Sequence, residues 1–240
     1  MKRVAFLVLF FAGIFGLVVW TKDSPWAPII CFLLGAIMIH VYRERETIYL
    51  KGQLREAIEE RDEALRAAST DPLTGLFNRR GMLSLTQKIL GAQMRLVHES
   101  QNDLWVTVSA IDLDGFKAVN DTLGHGAGDA IIRLVSELLR RYFGRGTDIV
   151  CRLGGDEFLV LTIGTDDVGL TASRLEAFRQ VLAQEVTRLL QGQLPVTASC
   201  GVKAVPVPEE GGIDLGSLAG LADALMYQAK QGGKNRVVVG

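Results

Sequence analysis

Residues 148–163 have the sequence DIVCRLGGDEFLVLTI, in which two short apolar runs flank Gly154-Gly155-Asp156-Glu157. The flanking runs, 148–152 and 158–163, are rich in β-branched and other apolar residues, which is typical of strands. Two adjacent glycines between such runs suit a tight turn, because glycine adopts backbone conformations that other residues avoid. Glycines also let a bulky ligand approach the backbone closely. This stretch therefore predicts a β-hairpin with two carboxylates at its tip.

The chain beyond Asp71 alternates between strand and helix patterns. Further strands are predicted, from concentrated apolar and β-branched residues, at 105–112, 196–205 and 237–239. Helices are predicted, from apolar residues at helical spacing, around 131–142, 175–189 and 218–230. This alternation indicates an α/β or α+β fold in which helices cover a central sheet.

Two groups of carboxylates lie at the ends of predicted strands. Asp112 and Asp114 end the strand 105–112 and are spaced so that both side chains point to one face of a sheet. Asp156 and Glu157 lie at the hairpin tip. If the strands are neighbours, the carboxylate oxygens converge on one point, which is an arrangement that hard cations such as Mg²⁺ prefer. The GGDE sequence alone is ambiguous, because ordinary turns are also rich in Gly and Asp.

The composition argues against two kinds of site. The formal net charge is −1, which does not indicate the basic patch of a nucleic-acid-binding protein, so no nucleic-acid partner is expected. Cys31, Cys151 and Cys200 show no CxxC spacing and no His at metal-ligand spacing. We therefore interpret the cysteines as reduced packing residues rather than as a metal or disulfide site.

The first 42 residues predict a membrane hairpin. Residues 4–20 and 26–42 are apolar runs, each near the lower limit for crossing a bilayer as a helix. A cleaved signal peptide is the alternative for the first run, but no small-x-small cleavage site follows. Basic residues flank both outer ends, so the positive-inside rule places both termini and the rest of the chain in the cytoplasm. The expectation is a two-span protein of the bacterial inner membrane, in contact with lipid.

Residues 43–70 predict a cytoplasmic helical connector. The segment is charged and contains no proline, and Leu54, Ile58 and Leu65 lie along one helical stripe that Arg61 interrupts. Both a solvated single helix and a short parallel coiled coil that pairs two copies fit this stripe. Pro72 disfavours helical geometry in the residue before it, so the helix is expected to end there.

Five motifs, taken together, resemble the GGDEF family of diguanylate cyclases. The signature itself is Arg152–Phe158, RLGGDEF. The others are, in chain order, Asp71–Arg80 (DPLTGLFNRR), Asp112–Asp121 (DLDGFKAVND), Gly124–Asp129 (GHGAGD) and Ala222–Lys230 (ADALMYQAK). The resemblance spans residues 71–239 in the family's order and does not cover the hairpin or the connector. Residues 71–240 are therefore expected to form the catalytic domain.

The resemblance implies a fold, a reaction and a cofactor. The fold would be similar to that of nucleotide cyclases and polymerase palms, with a mostly antiparallel central sheet flanked by helices. The reaction would condense two GTP molecules into cyclic di-GMP and release two diphosphates. Mg²⁺, or Mn²⁺ in its place, would be bound as two ions per active site. Because each domain would bind one GTP, two copies must face each other in a homodimer with near two-fold symmetry.

The resemblance also implies metal and catalytic residues. Asp112, the backbone carbonyl of Leu113, Asp156 and Glu157 would hold the metal. Asp156 would also act as the base that activates the attacking 3′-hydroxyl, with Glu157 beside it. Lys117 would stabilise charge on the phosphates. A carboxylate is too weak a base for a free sugar hydroxyl, so the base and the metal site should be adjacent.

Nucleotide contacts are implied at further positions. Asn120 and Asp129 would recognise the guanine edge, whose N–H donors suit a carboxylate and an amide. Lys230 and Lys234 would contact the triphosphate. Many family members carry Arg at the position of Lys234, and Lys lacks the bidentate geometry of Arg. The signature glycines would let the nucleotide approach, at Gly154 and Gly155.

A product-inhibition site is implied by Arg145-Gly146-Thr147-Asp148, which lies where the family carries its RxxD motif. Arg145 and Asp148 would bind cyclic di-GMP. A second arginine, Arg174 or Arg179, would come from a facing domain, and the sequence does not choose between the two. Two other functions remain open from the residues. A catalytically silent cyclic di-GMP receptor would usually lack the signature acids, which are all present here. Another metal-dependent nucleotide cyclase would not need the guanine-contact pair.

Overall fold

The computed structural model describes residues 26–100, 104–164, 168–208 and 213–240, together with Gly13. By internal contacts the chain divides into two compact units, Met1–Glu63 and Ala64–Gly240. Helix α1 extends from Ala27 to Ser69 and ends just before Asp71-Pro72, as the proline predicts. Along the first unit its apolar side chains are exposed, including Phe32, Ile48 and Leu54.

The prediction of a two-span inner-membrane protein, with both termini and the catalytic domain on the cytoplasmic side, is contradicted. Among the described residues, no helix is long and apolar enough to cross a membrane. The second predicted span, 26–42, forms only the beginning of α1, and the same helix continues with charged residues from Arg43 onward. Crossing a bilayer takes about 20 consecutive apolar residues, which the beginning of α1 does not supply. The first predicted span, 4–20, lies outside the described residues except for Gly13.

The second unit is built on a mixed five-stranded sheet in the order β2-β3-β1-β4-β5. β1 pairs antiparallel with β3 and β4, β2 pairs antiparallel with β3, and β5 runs parallel to β4. The predicted fold class, helices around a mostly antiparallel sheet, is confirmed. The strands are β1 Trp105–Asp114, β2 Asp148–Gly154, β3 Glu157–Gly164, β4 Thr197–Pro206 and β5 Val237–Val239.

Helices cover both faces of the sheet, because alternate side chains of the strands are apolar on each face. They are α2 Arg79–Ser100, α3 Phe116–Leu123, α4 His125–Tyr142, α5 Val168–Leu189 and α6 Leu215–Gln231. Ile111 and Leu113 of β1 pack in a core with α4 and α5. Val108 and Ala110 pack in a second core with α2 and α6. Helix α2 was not predicted from the sequence.

Candidate active site

The carboxyl end of β1 and the hairpin between β2 and β3 meet at one edge of the sheet. Asp112 lies directly opposite Glu157 in the β1–β3 register. Directly opposed residues of an antiparallel pair project to the same face, so these two carboxylates share one face. Like charges placed in this way repel each other, and a cation between them relieves the repulsion. The predicted convergence of the two carboxylate groups is therefore present at Asp112 and Glu157.

The tip of the hairpin depends on its two glycines. Gly154 has φ 150° and Gly155 has φ 53°, which are values that other residues rarely adopt. A Cβ atom added to either glycine would meet no atom within 4 Å, so the backbone faces open space. The turn thus offers bare backbone beside Asp156 and Glu157, as the sequence predicted.

Asp112 is a buried acid with a cationic partner. The residue is only 8% exposed, and its Oδ2 atom lies 2.8 Å from Nζ of Lys230 in the last turn of α6. Burial raises the pKa of Asp112; Lys230 opposes this effect, while the charges of Asp156 and Asp114 add to it. Partial burial alone would lower the pKa of Lys230, but the hydrogen bond to Asp112 and the negative charges of Asp112, Asp156 and Asp114 together outweigh burial and raise the pKa. Lys230, expected to contact phosphate, is thus already next to a predicted metal ligand.

Asp114, two residues further along β1, has a different environment. Its Oδ2 atom accepts hydrogen bonds from Thr197 Oγ1 at 2.8 Å and from the Asn235 backbone N–H at 3.1 Å. Its Oδ1 atom accepts from Ser199 Oγ at 2.8 Å. These three donors occupy the carboxylate within the fold. Asp114 therefore joins β1 to β4 and to the segment that follows α6.

The predicted guanine contacts lie on two neighbouring helices. Asn120 lies on α3, and Asp129 lies on α4; both are partly buried. A Cβ atom at Gly128 would come within 2.0 Å of Oδ1 of Asn120, so the amide packs against the residue that precedes Asp129. Lys117 lies in the first turn of α3 and is exposed. Lys117 and Asn120 therefore lie on the helix that follows β1, and Asp129 lies on the next helix.

The other predicted phosphate contact, Lys234, lies in the segment between α6 and β5. It adopts φ 62°, a left-handed conformation that is unusual for a residue with a side chain. Its backbone N–H donates to the carbonyl of Ala229 at 2.9 Å, which closes the end of α6. The Lys234 side chain is exposed, and Lys234 is four positions after Lys230 in the sequence.

An ion pair connects the hairpin to the beginning of the second unit. The Arg152 guanidinium lies 3.1 Å from each carboxylate oxygen of Asp71 and donates to the carbonyl of Gly155 at 2.8 Å. Burial alone would raise the pKa of Asp71, but hydrogen bonds from Thr74 and Arg152 outweigh it and lower the pKa. Arg152 thus fixes the signature turn against the segment that follows α1.

The predicted inhibitory pair lies at the other end of β2. Asp148 begins this strand and is almost fully buried, and the backbone N–H of Arg145 donates to its carboxylate at 3.0 Å. Arg174 of α5 pairs with Asp148, and all three line a cavity of about 240 Å³. Arg179 instead pairs with Glu176 and donates to Asn235. Of the two arginines, Arg174 is therefore the one that contacts Asp148 within the same chain. Which arginine a facing domain would contribute stays a prediction.

The comparison with known proteins decides the family. The profile of the family described as diguanylate cyclase, GGDEF domain, matches residues 68–236, which is more than half of the chain. The chain belongs to the GGDEF-domain family of diguanylate cyclases. The predicted motifs from Asp71 onward all lie within the matched residues.

Relatives of this GGDEF protein are named for different activities. Diguanylate cyclase DgcP of Pseudomonas aeruginosa is 34% identical over 179 residues, covering 72% of this chain and 24% of the relative. Cyclic di-GMP phosphodiesterase PdeR of Escherichia coli is also 34% identical, over 212 residues, covering 87% of this chain and 30% of the relative. This chain thus spans under a third of the length of both relatives.

A solved GGDEF structure has the same fold. The coiled coil and GGDEF domain of DgcB from Caulobacter crescentus, in complex with cyclic di-GMP, matches with a TM-score of 0.61 and 27% identity. The match covers 86% of this chain and 99% of the DgcB chain.

The donor atoms at the edge of the GGDEF sheet suit a hard cation. No three His, Cys, Asp or Glu side chains in the described parts of the chain gather into a ready-made metal cluster. The donors at the end of β1 are nevertheless all oxygens, from Asp112, the Leu113 carbonyl and the facing Glu157, and Asp156 is near enough to raise the pKa of Asp112. Mg²⁺ prefers oxygen ligands and commonly completes its coordination with substrate phosphates. These residues therefore fit a divalent ion that is shared with a phosphate ligand.

Sequence reasoning assigned no role to the Asp71–Arg152 pair. Both residues were quoted within the GGDEF motifs, but they are 81 positions apart, and no local spacing signals their contact. The sequence also grouped Asp114 with Asp112 as a carboxylate that could face a cation. The three hydrogen bonds of Asp114 instead favour a structural role, since they join β1 to β4 and to the segment after α6.

Proposed function

We propose that this chain is a diguanylate cyclase, which condenses two GTP molecules into cyclic di-GMP and releases two diphosphates. The observation that carries the proposal is the pairing of Asp112 with Glu157 across the sheet, beside a glycine turn and Lys230. The complete signature within the matched family profile also supports it. A silent receptor would have no need of a buried carboxylate held against a facing acid.

We propose that Asp112, the Leu113 carbonyl, Asp156 and Glu157 hold Mg²⁺ or Mn²⁺, up to two ions per site. When bound, such ions neutralise the charge of the phosphates and lower the pKa of the attacking hydroxyl. The open backbone at Gly154 and Gly155 leaves room for the triphosphate. The proposal is supported by the oxygen-only donor set at this edge and by the like charges opposed across β1 and β3.

The protein's own groups have distinct tasks in the proposed reaction. Asp156 accepts the proton of the attacking 3′-hydroxyl, in the role that the resemblance to the family implies for the third residue of the signature. Lys117, Lys230 and Lys234 supply positive charge to the phosphates, which gain negative charge as the new bond forms. Asn120 and Asp129 bind the guanine edge from α3 and α4. Their polar atoms offer both a donor and acceptors for the guanine edge.

We further propose that the active form is a homodimer in which two GTP sites face each other. Each catalytic domain, residues 71–240, holds one GTP, and the product needs two equivalent bonds between two nucleotides. Residues 43–70 would act as the connector that pairs the chains. The exposed apolar side chains of α1, among them Leu54, Ile58 and Leu65, support pairing because they have the spacing of one stripe.

We propose cyclic di-GMP as an inhibitor bound at Arg145, Asp148 and Arg174. The site begins β2, and the signature turn ends the same strand. At about 3.3 Å per residue, the two sites are separated by roughly 20 Å along this strand. A product molecule bound there would therefore act from outside the catalytic edge.

The test is cyclic di-GMP formation by the purified chain from GTP and Mg²⁺, after bound product has been removed with a phosphodiesterase. Asp156→Ala and Glu157→Ala should lose the product, while Glu137→Gln, an exposed acid on α4, should keep it. The proposal fails if the wild-type chain makes no cyclic di-GMP even when fused to a dimeric leucine zipper. Binding of cyclic di-GMP without any turnover would then favour the receptor function.

A further inference from the structure

A cation of the protein itself already lies against one of the candidate metal ligands. The Lys230 ammonium lies 2.8 Å from Oδ2 of Asp112, and the two side chains are 31% and 12% exposed. Among the described residues, Lys230 is the side chain that hydrogen-bonds to this carboxylate. A buried carboxylate needs such a partner, because an unpaired charge away from water is costly. Lys230 therefore has a function before any nucleotide arrives.

The backbone of Lys230 is fixed, whereas its side chain is free to turn. Helix α6 packs so closely on β4 that a Cβ atom at Gly201 would lie 2.1 Å from the Ala222 carbonyl oxygen. Ala229, next to Lys230, is fully buried. The lysine side chain has four rotatable bonds and a partly exposed end, so its ammonium can move by several ångströms while α6 stays in place.

The ammonium and a divalent ion compete for the same carboxylate oxygen. Mg²⁺ binds oxygen at about 2.0–2.1 Å, inside the position that the ammonium holds, and two cations at such a distance repel each other strongly. Because Asp112 is buried, its oxygens can be reached from few directions. A metal ion that takes Oδ2 of Asp112 therefore competes with the Lys230 ammonium.

We infer that Lys230 is a resident cation that opposes metal binding in the nucleotide-free site and transfers to a nucleotide phosphate when metal binds. The inference rests on the proposed function, since it assigns metal to Asp112 and phosphate to this edge. Lys230 thereby couples the two ligands: metal binds well only when a phosphate receives the displaced ammonium. If Lys230 only contacted phosphate, removing its charge would not change the affinity for metal in the absence of nucleotide.

The test uses Mn²⁺ alone, followed by its electron paramagnetic resonance signal, with the full nucleotide-free chain. Lys230→Met keeps the length of the side chain and removes its charge. It should bind Mn²⁺ about tenfold more tightly than wild type, because one unit charge at contact distance is lost. Lys234→Met removes the same charge four residues away and should change the affinity by less than about threefold, since an exposed charge is screened. Adding Asp112→Asn to Lys230→Met should abolish the gain.

Equal Mn²⁺ affinity in wild type, Lys230→Met and Lys234→Met would overturn the inference. A gain that survives Asp112→Asn would overturn it too, because the ion would then bind elsewhere. The proposed function is judged separately, from cyclic di-GMP formation by the wild-type chain. If the wild-type chain makes cyclic di-GMP but Lys230→Met gains no metal affinity, only the resident cation is refuted. If the wild-type chain makes no cyclic di-GMP but Lys230→Met binds metal more tightly, only the cyclase is refuted.

A second measurement needs no variant and therefore does not depend on the folding of Lys230→Met. Acetic anhydride modifies lysines in proportion to their free amine, and mass spectrometry reports each site. Adding Mn²⁺ to nucleotide-free wild type should raise the modification of Lys230 several-fold relative to exposed Lys88, because an ammonium that leaves Asp112 loses the partner that favours its charged form. Unchanged modification at saturating Mn²⁺ would show that the ammonium stays on Asp112 and would overturn the inference.

Discussion

Asp112 and Asp114 lie two residues apart on β1, on the same face of the sheet, and both are 8% exposed. Their hydrogen-bond partners differ completely. Asp114 accepts from three donors within the fold, whereas Asp112 has the flexible Lys230 and faces Glu157 across the sheet. Equal burial therefore does not imply an equal role. The acid that the fold leaves incompletely satisfied is the one available to a ligand, while its neighbour holds the scaffold.

The largest expected effect is the loss of activity in Asp112→Asn. The substitution keeps the shape of the side chain and removes the charge that we propose for metal binding. We expect cyclic di-GMP formation to fall about 10³-fold, the loss expected when several kcal/mol of transition-state stabilisation is removed. Product chromatography at saturating GTP measures it. A fall of less than tenfold would show that Asp112 is as structural as Asp114.

The second prediction concerns Asp114, the acid that accepts three hydrogen bonds within the fold. Asp114→Ala leaves Thr197 Oγ1, Ser199 Oγ and the Asn235 N–H without their common acceptor. We expect the free energy of unfolding to fall by about 3 kcal/mol, at about 1 kcal/mol for each hydrogen bond lost. Urea denaturation measures the change, and Asp112→Ala serves as the matched variant. If both variants lost equal stability, the structural difference between the two acids would be refuted.

The third prediction concerns Asp71, an acid that has a dedicated arginine. Asp71→Asn and Arg152→Met should be coupled by about 1–3 kcal/mol in a double-mutant cycle of unfolding free energies, because the two side chains are in direct contact. The Arg152→Met variant should lose more stability than Asp71→Asn, since it also frees the Gly155 carbonyl. Coupling near zero would mean that the pair does not hold the signature turn in solution.

The sequence predicted the β-hairpin and its glycine turn because both are local signals. The strand at β1, the hairpin at β2–β3 and the short β5 were expected from their residues and are present. The opposition of Asp112 and Glu157 could only be expected conditionally, since strand order is a long-range property. Helix α2 was missed, although its apolar residues Met82, Leu85 and Ile89 pack on the sheet at helical spacing.

Contacts between distant segments were beyond what the sequence could predict. Nothing in the motifs indicates that Lys230 approaches Asp112 before a nucleotide is bound, because a lysine in the last turn of a helix is ordinary. The prediction of a two-span membrane protein was wrong for a related reason. Hydropathy described the run 26–42, but the helix that contains it continues through charged sequence to Ser69. An apolar run alone does not fix the length of the helix to which it belongs.

The smallest expected effect is a difference in pH dependence between Asp71 and Asp112. The pKa of Asp71 is lowered from 3.8, because the hydrogen bonds from Thr74 and Arg152 exceed the cost of burial. Its contribution to stability is complete above pH 3.8 and is lost as the pH falls through the lower folded value. The pKa of Asp112 is raised from 3.8 by burial, so its ionised form costs stability above the raised value, and this cost disappears as the pH falls towards 3.8.

The two asparagine variants should therefore show opposite trends in urea denaturation. The stability advantage of wild type over Asp71→Asn should shrink as the pH falls below 3.8. The free energy of unfolding of Asp112→Asn should increase relative to that of wild type as the pH rises above 3.8, because only wild type then carries the buried charge. Glu137→Gln, on the exposed face of α4, should follow wild type throughout. Parallel curves for Asp112→Asn and wild type above pH 3.8 would mean that Lys230 fully compensates the buried charge, which would make Asp112 as satisfied in the ligand-free protein as Asp114.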